Sequence, residues 1–119
     1  MEQIKLGLVE AKFSEIIWEN EHLGSGDLVK LCQEKLEWKK YTTYTVLKKL
    51  CERGIFKNCD GVVSSVISRE QFNTAQSQSF VEENFSGSLP AFIAAFTAGN
   101  KLSEKEIAEI KRLIEKGGE

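Results

Sequence analysis

The stretch Trp38–Gly54, WKKYTTYTVLKKLCERG, determines how the rest of the chain is interpreted. Its core-facing candidates recur at i, i+1, i+4 and i+5: Val46, Leu47, Leu50 and, as a further candidate, Cys51. This spacing turns one side of a helix toward a core. The opposite side carries hydroxyl, aromatic and basic side chains: Lys40, Tyr41, Thr42, Tyr44, Thr45, Lys48, Lys49 and Arg53. The stretch is therefore predicted to be a helix with two chemically different faces.

Positive charge is concentrated around this helix. Between Trp38 and Lys57 there are six Lys or Arg residues against the single acid Glu52, a local excess of +5 in a chain whose formal net charge is -2. Binding to phosphates requires such an excess. Runs of charge also occur on helices that are merely solvated, and for this stretch taken alone that alternative stays open.

A shorter helix is predicted just ahead of the charged one. Ser25 is a suitable N-cap, Asp27 favours the first turn, and apolar residues follow at helical spacing to about Lys35. The short connection Leu36–Lys39 then leads to the helix Lys40–Arg53. Two helices joined in this way have the geometry of a helix-turn-helix, whose second helix reads DNA.

Two β-prone runs follow this pair of helices. Gly54 is predicted to be the left-handed C-cap of the charged helix. Ile55–Cys59 and Val62–Ile67 are separated by Asp60-Gly61, a two-residue hairpin signal. A helix-turn-helix followed at once by a hairpin is the element order of a winged helix.

The N-terminal region predicts one more helix, from about Leu8 to Asn20. Its inward stripe at i, i+4, i+7 and i+8, closed by an aromatic residue, consists of Val9, Phe13, Ile16, Ile17 and Trp18. The segment His22–Gly26, with two glycines, is predicted to be a loop. We interpret its single histidine as a solvated side chain rather than a ligand or a base.

Three helices are predicted after the hairpin. Ser68 with Gln71 forms a capping box that opens a helix reaching Phe85. Ser88 caps a second helix, Leu89–Ala98, which tolerates Pro90 in its first turn and ends at Gly99. Ser103 with Glu106 is another capping box, and it opens the last helix, Glu104–Lys116.

The segment Leu89–Ala98 is apolar on nearly all sides, yet it is too short to span a bilayer, which takes about 20 such residues. It must therefore be buried in protein. Helices of this length offer a thin core for one copy, which indicates that a second copy completes it, although an ordinary intramolecular core stays open as the alternative. The predicted dimerisation residues are Phe85, Leu89, Phe92, Ile93, Phe96, Ile107, Ile110 and Ile114.

Length and composition fit a small regulator. A chain of 119 residues with 41% hydrophobic residues has room for one compact unit or two small subdomains. The order of the predicted elements places a winged-helix domain over 1–67 and a helical dimerisation domain over 68–119. The chain shows no signal peptide or spanning segment, so we expect a soluble cytoplasmic protein. Cys32, Cys51 and Cys59 lack the spacing of a metal site and are interpreted as packing thiols, with no metal or cofactor expected.

The sequence shows no combination of residues that is typical of an enzyme active site. The sequence contains no phosphate-cradling glycine loop, no nucleophile with a base and an orienting residue, and no paired carboxylates outside helix surfaces. We therefore do not expect catalysis.

Over almost its whole length the chain resembles the penicillinase-repressor family. The opening helix matches at Leu6, Glu10, Ile17 and Trp18, and the reading helix matches the spacing of Trp38, Thr42, Thr45, Leu47, Leu50 and Gly54. The tail matches at Ser68-Arg-Glu-Gln-Phe, Phe80, Phe85, Gly87-Ser-Leu89 and Leu102–Ile107. The resemblance implies a homodimeric winged-helix repressor, mainly α (α+β), with its N-terminal part on DNA and its C-terminal helices forming the dimer.

The chain departs from this family at several points. Tyr44 stands where the family often has Lys or Arg, and Lys40 stands where it has proline, so base preference is expected to differ. The hairpin is about three residues shorter than the usual form, and its segment Gly61–Val66 lacks the basic and aromatic side chains expected there. The dimer region has Ala95-Phe96 where members that respond to antibiotics are cut at an Asn-Phe bond, and no C-terminal cysteine cluster of the copper-responsive kind is present. Neither known trigger is therefore supported.

These observations predict a DNA-binding transcriptional repressor that acts as a homodimer on a palindromic operator in double-stranded DNA. We expect Thr42, Tyr44 and Thr45 to face base edges. Five residues are expected to hold phosphates: Lys39, Lys40, Tyr41, Lys48 and Arg53. The alternative is a winged-helix protein-interaction module with little or no DNA binding.

Overall fold

The structure, a computed structural model, describes residues 5–117. Its elements in chain order are α1 (Leu8–Asn20), β1 (Leu23–Gly24), α2 (Ser25–Leu36), α3 (Lys40–Glu52), β2 (Phe56–Cys59), β3 (Val62–Ser65), α4 (Arg69–Phe85), α5 (Leu89–Gly99) and α6 (Glu104–Gly117). The strands form one antiparallel sheet in the order β1-β3-β2. This confirms the predicted fold class, a mainly α winged helix followed by helices. None of the helices in this range is long and apolar enough to cross a membrane.

The residues group into two compact units, one ending at Ser77 and the other beginning at Gln78. The first unit has a core to which every element from α1 to β3 contributes, and its fully buried apolar residues include Phe13, Ile17, Leu28, Leu50 and Val63. The first turn of α4 also belongs to this unit, since Phe72 packs against Trp18 with ring centroids 5.4 Å apart. The domain boundary at residue 67 stays a prediction.

The turn between α2 and α3 sets the direction of the third helix. Glu37 adopts a left-handed conformation (φ 57°), and its N–H donates to the Cys32 carbonyl. The ring of Trp38, next in the chain, stacks on Phe13 of α1 at a centroid distance of 5.5 Å and an interplanar angle of 21°. This stacking attaches the start of α3 to the core.

The hairpin confirms the predicted turn. Asp60 (φ 52°) and Gly61 (φ 82°) are both left-handed, which is the conformation of a type I′ turn and matches the right-handed twist of the strands. Gly54 is left-handed as well (φ 80°), as predicted for the residue after α3. The paired strands bring Asn58 opposite Val63 and Cys59 opposite Val62.

Three predictions about the N-terminal half were wrong. Val9 does not face the core: it is 53% exposed, because it lies in the first turn of α1, and Leu6 packs against the core at that end. The segment around His22 is only partly a loop, since Leu23 and Gly24 pair with β3. The N-cap of α2 is therefore Gly24, and Ser25 is already helical.

Two of the three thiols, Cys32 and Cys51, pack in the core as predicted, and the prediction was wrong for Cys59. Cys32 is buried, Cys51 is half-buried and Cys59 is exposed, and all three are free. Burial raises the pKa of Cys32, which the neighbouring Thr43 hydroxyl offsets only in part, and burial also raises the pKa of Cys51. A raised pKa disfavours the reactive thiolate. Among residues 5–117 no group of His, Cys, Asp and Glu side chains could hold a metal ion.

The second unit contains the end of α4 together with α5 and α6, and its helices begin where the capping signals predicted. Ser88 Oγ accepts from the Ala91 amide at 3.1 Å, and Ser103 exchanges hydrogen bonds with Glu106. An aromatic cluster joins the end of α4 to α5, with ring contacts among Phe80, Phe85, Phe92 and Phe96. No residue of α5 or α6 is fully buried within one chain. Within one chain α5 and α6 are thus only partly covered, and the completion of their core by a second copy stays a prediction.

Candidate nucleic-acid interface

The inner face of α3 holds the helix on the first unit. Leu47 and Leu50 are buried as predicted, and Val46 and Cys51 pack partly buried against the core. Thr43, which the apolar spacing did not mark, is also fully buried. The outer face is left to solvent.

The eight residues predicted to contact DNA all lie on α3 or at its two ends. Seven are exposed: Lys39, Lys40, Tyr41, Tyr44, Thr45, Lys48 and Arg53. Thr42 is half-buried at the edge of the inner face. Tyr41 is the most prominent of the aromatic residues here, with 80% of its surface exposed.

Hydrogen bonds orient the two hydroxyl groups in the middle of this face. Thr45 Oγ1 donates to the Tyr41 carbonyl at 2.9 Å, one helical turn back, so its proton is engaged and its lone pairs face outward. The Tyr44 hydroxyl donates to Ser25 Oγ at 3.3 Å. The Lys40 ammonium lies 6.0 Å from the centre of the Tyr44 ring. The sequence alone did not indicate Ser25 as a neighbour of this surface.

Part of the positive charge of α3 is neutralised within the chain. Glu10 of α1 is 3.5 Å from Lys49 Nζ and 3.5 Å from an Arg53 guanidinium nitrogen. Arg53 also donates to the Lys5 carbonyl. The Gly7 amide, which donates to Glu10 at 3.0 Å, lowers the pKa of this carboxyl most; burial opposes the shift, and Lys49 and Arg53 add to it. The guanidinium predicted to hold a phosphate thus already has an internal partner.

Glu10→Gln is expected to destabilise the fold at pH 7 by about 0.5 to 1 kcal/mol, because it removes the charge that pairs with the exposed Lys49 and the partly exposed Arg53. Because the pKa of Glu10 is lower in the folded state, its contribution to the free energy of unfolding is complete above the pKa of the unfolded chain, about 4.5. That contribution is lost as the pH falls through the pKa of the folded state. Urea denaturation of both proteins at pH 7 and pH 3.5 measures the difference in their free energies of unfolding. The control is Glu34→Gln, at an exposed acid of α2, and a Glu10 effect that persists at low pH would contradict the assignment.

The hairpin beside α3 has little positive charge. Between Asn58 and Ser68 it has no Lys or Arg, and Asp60 is exposed at its tip. The base of the hairpin is held by Glu21, whose carboxylate accepts from both the amide and the hydroxyl of Ser65 at 2.6 Å. Burial acts to raise the pKa of Glu21, but the hydrogen bonds from Ser65 outweigh it and the pKa is lowered. The hairpin is thus anchored at its base and acidic at its tip.

A groove of about 370 Å³ separates α3 from β2. It is lined by Tyr44, Leu47, Lys48, Cys51 and Asn58. Sequence analysis did not select Asn58 as a site residue. No pattern in the sequence indicated it, because only the first residue of β2 is buried and the strand shows no alternation of buried and exposed positions.

Comparison with known proteins agrees with this architecture. The sequence model of the penicillinase repressor family matches residues 6–116. The chain is similar to the penicillinase repressor of Bacillus licheniformis, with 23% identity over 89% of this chain and 86% of that protein. It is also similar to the methicillin resistance regulatory protein MecI of Staphylococcus aureus, with 21% identity over 94% of each chain. The chain therefore belongs to the penicillinase repressor family, which consists of transcriptional repressors.

Proposed function

We propose that this protein represses transcription as a homodimer bound to a palindromic operator, with half-sites about one helical turn apart. The observation that carries the proposal is the outer face of α3, which follows a helix-turn-helix bend and presents hydroxyl, aromatic and cationic side chains with no buried role. Membership of a repressor family supports it. Because the operator belongs to genomic DNA, we place the protein in the cytoplasm.

In this proposal the residues of α3 divide into two sets. Tyr44 and Thr45 on the outer face, together with Thr42 at the edge of the inner face, contact base edges in the major groove. The phosphates are held by residues near its ends and flanks: Lys39, Lys40, Tyr41, Lys48 and Arg53. For Arg53 this requires exchanging Glu10 for a phosphate, so its net contribution is smaller than that of Lys48.

The dimer is proposed to form through α5 and α6. Large apolar side chains on these helices are exposed in the single chain, among them Leu89 (51%), Phe96 (48%) and Ile114 (63%). Exposed apolar patches of this kind are typical of protein interfaces, and a second copy presents the same apolar surface about a two-fold axis. Phe85, Phe92, Ile93, Ile107 and Ile110 complete the proposed dimer surface.

The competing function is that of a winged-helix module that binds protein rather than DNA. The acidic hairpin tip and the net charge of -2 favour it. Retention on a heparin or DNA column at several salt concentrations separates the two, because phosphate contacts give a strong salt dependence. Elution at low salt with no such dependence would favour the protein-binding module.

Selection from a random double-stranded DNA library tests the proposed function directly. The full-length protein is expected to enrich a sequence with two-fold symmetry and to bind it as a dimer, as measured by sedimentation of the complex. Enrichment of a single asymmetric half-site would contradict the dimeric mode. Failure to enrich any sequence would contradict DNA recognition altogether.

Asp60→Lys is expected to tighten binding modestly and to every DNA sequence alike, since it replaces an acid at the hairpin tip by a cation that can contact a phosphate. The salt dependence should become steeper by about one counterion. Titration against operator and against random DNA at two salt concentrations measures both quantities. Unchanged affinity and slope would mean that the hairpin only covers the core.

A further inference from the structure

Ser25 joins three elements of the first unit. As the first residue of α2, it donates its amide to the Gly61 carbonyl at 2.7 Å, which connects the helix to the tip of the hairpin. Its side-chain Oγ accepts from the Tyr44 hydroxyl at 3.3 Å, which connects the same residue to α3. The neighbouring pair of Gly24 with Val62 adds β1 to the hairpin. The hairpin turn, the start of α2 and the outer face of α3 are thus connected through one serine.

This arrangement limits what Tyr44 can offer to DNA. A tyrosine hydroxyl has a single proton, and here that proton is donated to Ser25. One face of the ring is near the Lys40 ammonium, at 6.0 Å from the ring centre. The side chain is still 36% exposed. The hydroxyl can then act toward DNA only as an acceptor, and the exposed edge of the aromatic ring offers apolar carbon beside it.

We propose that Ser25 is a positioning residue that holds the Tyr44 hydroxyl, so that Tyr44 meets DNA with its ring edge and selects the methyl group of a thymine. This inference rests on the proposed function and makes it more specific. Apolar contact with the C5-methyl group is how apolar side-chain surface distinguishes thymine in the major groove. The Ser25 amide holds Gly61 independently of the hydroxyl, so the start of α2 stays fixed when the tyrosine is released.

Deoxyuridine lacks only that methyl group, so it is the probe for the proposal. In the selected operator each thymine is replaced by deoxyuridine in turn. At one position in each half-site the wild-type protein is expected to lose about 3- to 10-fold in affinity, the scale of a single apolar base contact. Tyr44→Ala should bind the thymine and deoxyuridine forms of that position equally. A wild-type protein indifferent to every replacement would overturn the methyl contact.

The role of Ser25 is tested by a double-mutant cycle. Ser25→Ala and Tyr44→Phe each remove one end of the hydrogen bond and are expected to weaken operator binding by a similar factor of about 3, with no further loss in the double variant. Both should reduce the sensitivity to deoxyuridine, and Ser25→Thr, which keeps the hydroxyl, should restore it. If Tyr44→Phe abolishes operator preference while Ser25→Ala has no effect, the hydroxyl reads a base and the proposal is wrong.

Failure of this inference can be distinguished from failure of the proposed function. If selection enriches no sequence, that result contradicts both the methyl contact and DNA recognition. The hydrogen bond is then still measured without DNA, as the combined effect of Ser25→Ala and Tyr44→Phe on the midpoint of thermal unfolding. Midpoint shifts that simply add would show that the two hydroxyls are not coupled and would overturn the positioning role of Ser25.

Discussion

Ile114→Asp is expected to convert the proposed dimer to a monomer and to weaken operator binding by about 10²- to 10⁴-fold, because the second half-site would no longer be bound by a linked partner. Ile114 is the best test position on α6, since 63% of it is exposed in the single chain and a carboxylate there leaves the chain's own packing intact. In a dimer the same carboxylate would be buried without a partner, which costs several kcal/mol. Sedimentation equilibrium and operator titration measure the two effects.

Ala108→Asp is the matched control for this variant. It introduces the same side chain and the same change of charge at an exposed position of the same helix, about 120° around the helix axis from Ile114. We expect it to remain dimeric and to bind operator normally. Equal dimer stability in Ile114→Asp and Ala108→Asp would place the interface elsewhere and leave the apolar face of α6 without an explanation.

Much of the fold was predictable because its signals are local. The capping box of Ser68 and Gln71 places donor and acceptor three residues apart, and the two hydrogen bonds form at 2.9 and 3.1 Å as expected. The Asp60-Gly61 turn is likewise specified by two adjacent residues that tolerate left-handed backbone. Such signals depend on short stretches of chain and need no knowledge of the tertiary structure.

The features that escaped prediction depend on residues far apart in sequence. Strand β1 is two residues long and exists only because β3 lies beside it, so it leaves no alternating pattern. Ser25 resembles an N-cap, but its hydroxyl accepts from Tyr44 and its amide donates to Gly61. Glu10 likewise gives no sequence sign of its bond to Arg53, which lies 43 positions away. Each of these contacts bears on the candidate interface, where tertiary geometry decides which groups are free.

The second large effect on operator affinity is expected at the proposed base-reading residues. Thr42→Ala and Thr45→Ala are each expected to cost about 1 to 3 kcal/mol on the selected operator and little on random DNA, because base contacts carry sequence preference. Lys48→Ala should instead weaken both alike and reduce the salt slope by about one unit. Titration of the three variants against operator and random DNA at two salt concentrations compares them. Equal losses on both DNAs for a threonine variant would remove that residue from the base-reading set.

Thr45 allows a finer test, because its hydrogen bond to Tyr41 assigns different roles to its two branches. With the hydroxyl proton held by the Tyr41 carbonyl, the oxygen can accept from the amino group of adenine or cytosine, while the methyl group can contact thymine. Thr45→Val keeps the branched shape and should lose preference only where an amino group is read. Thr45→Ser keeps the hydroxyl and should lose preference only for thymine over deoxyuridine. If both variants lose the same base preference, Thr45 acts through the position of the helix rather than through a direct contact.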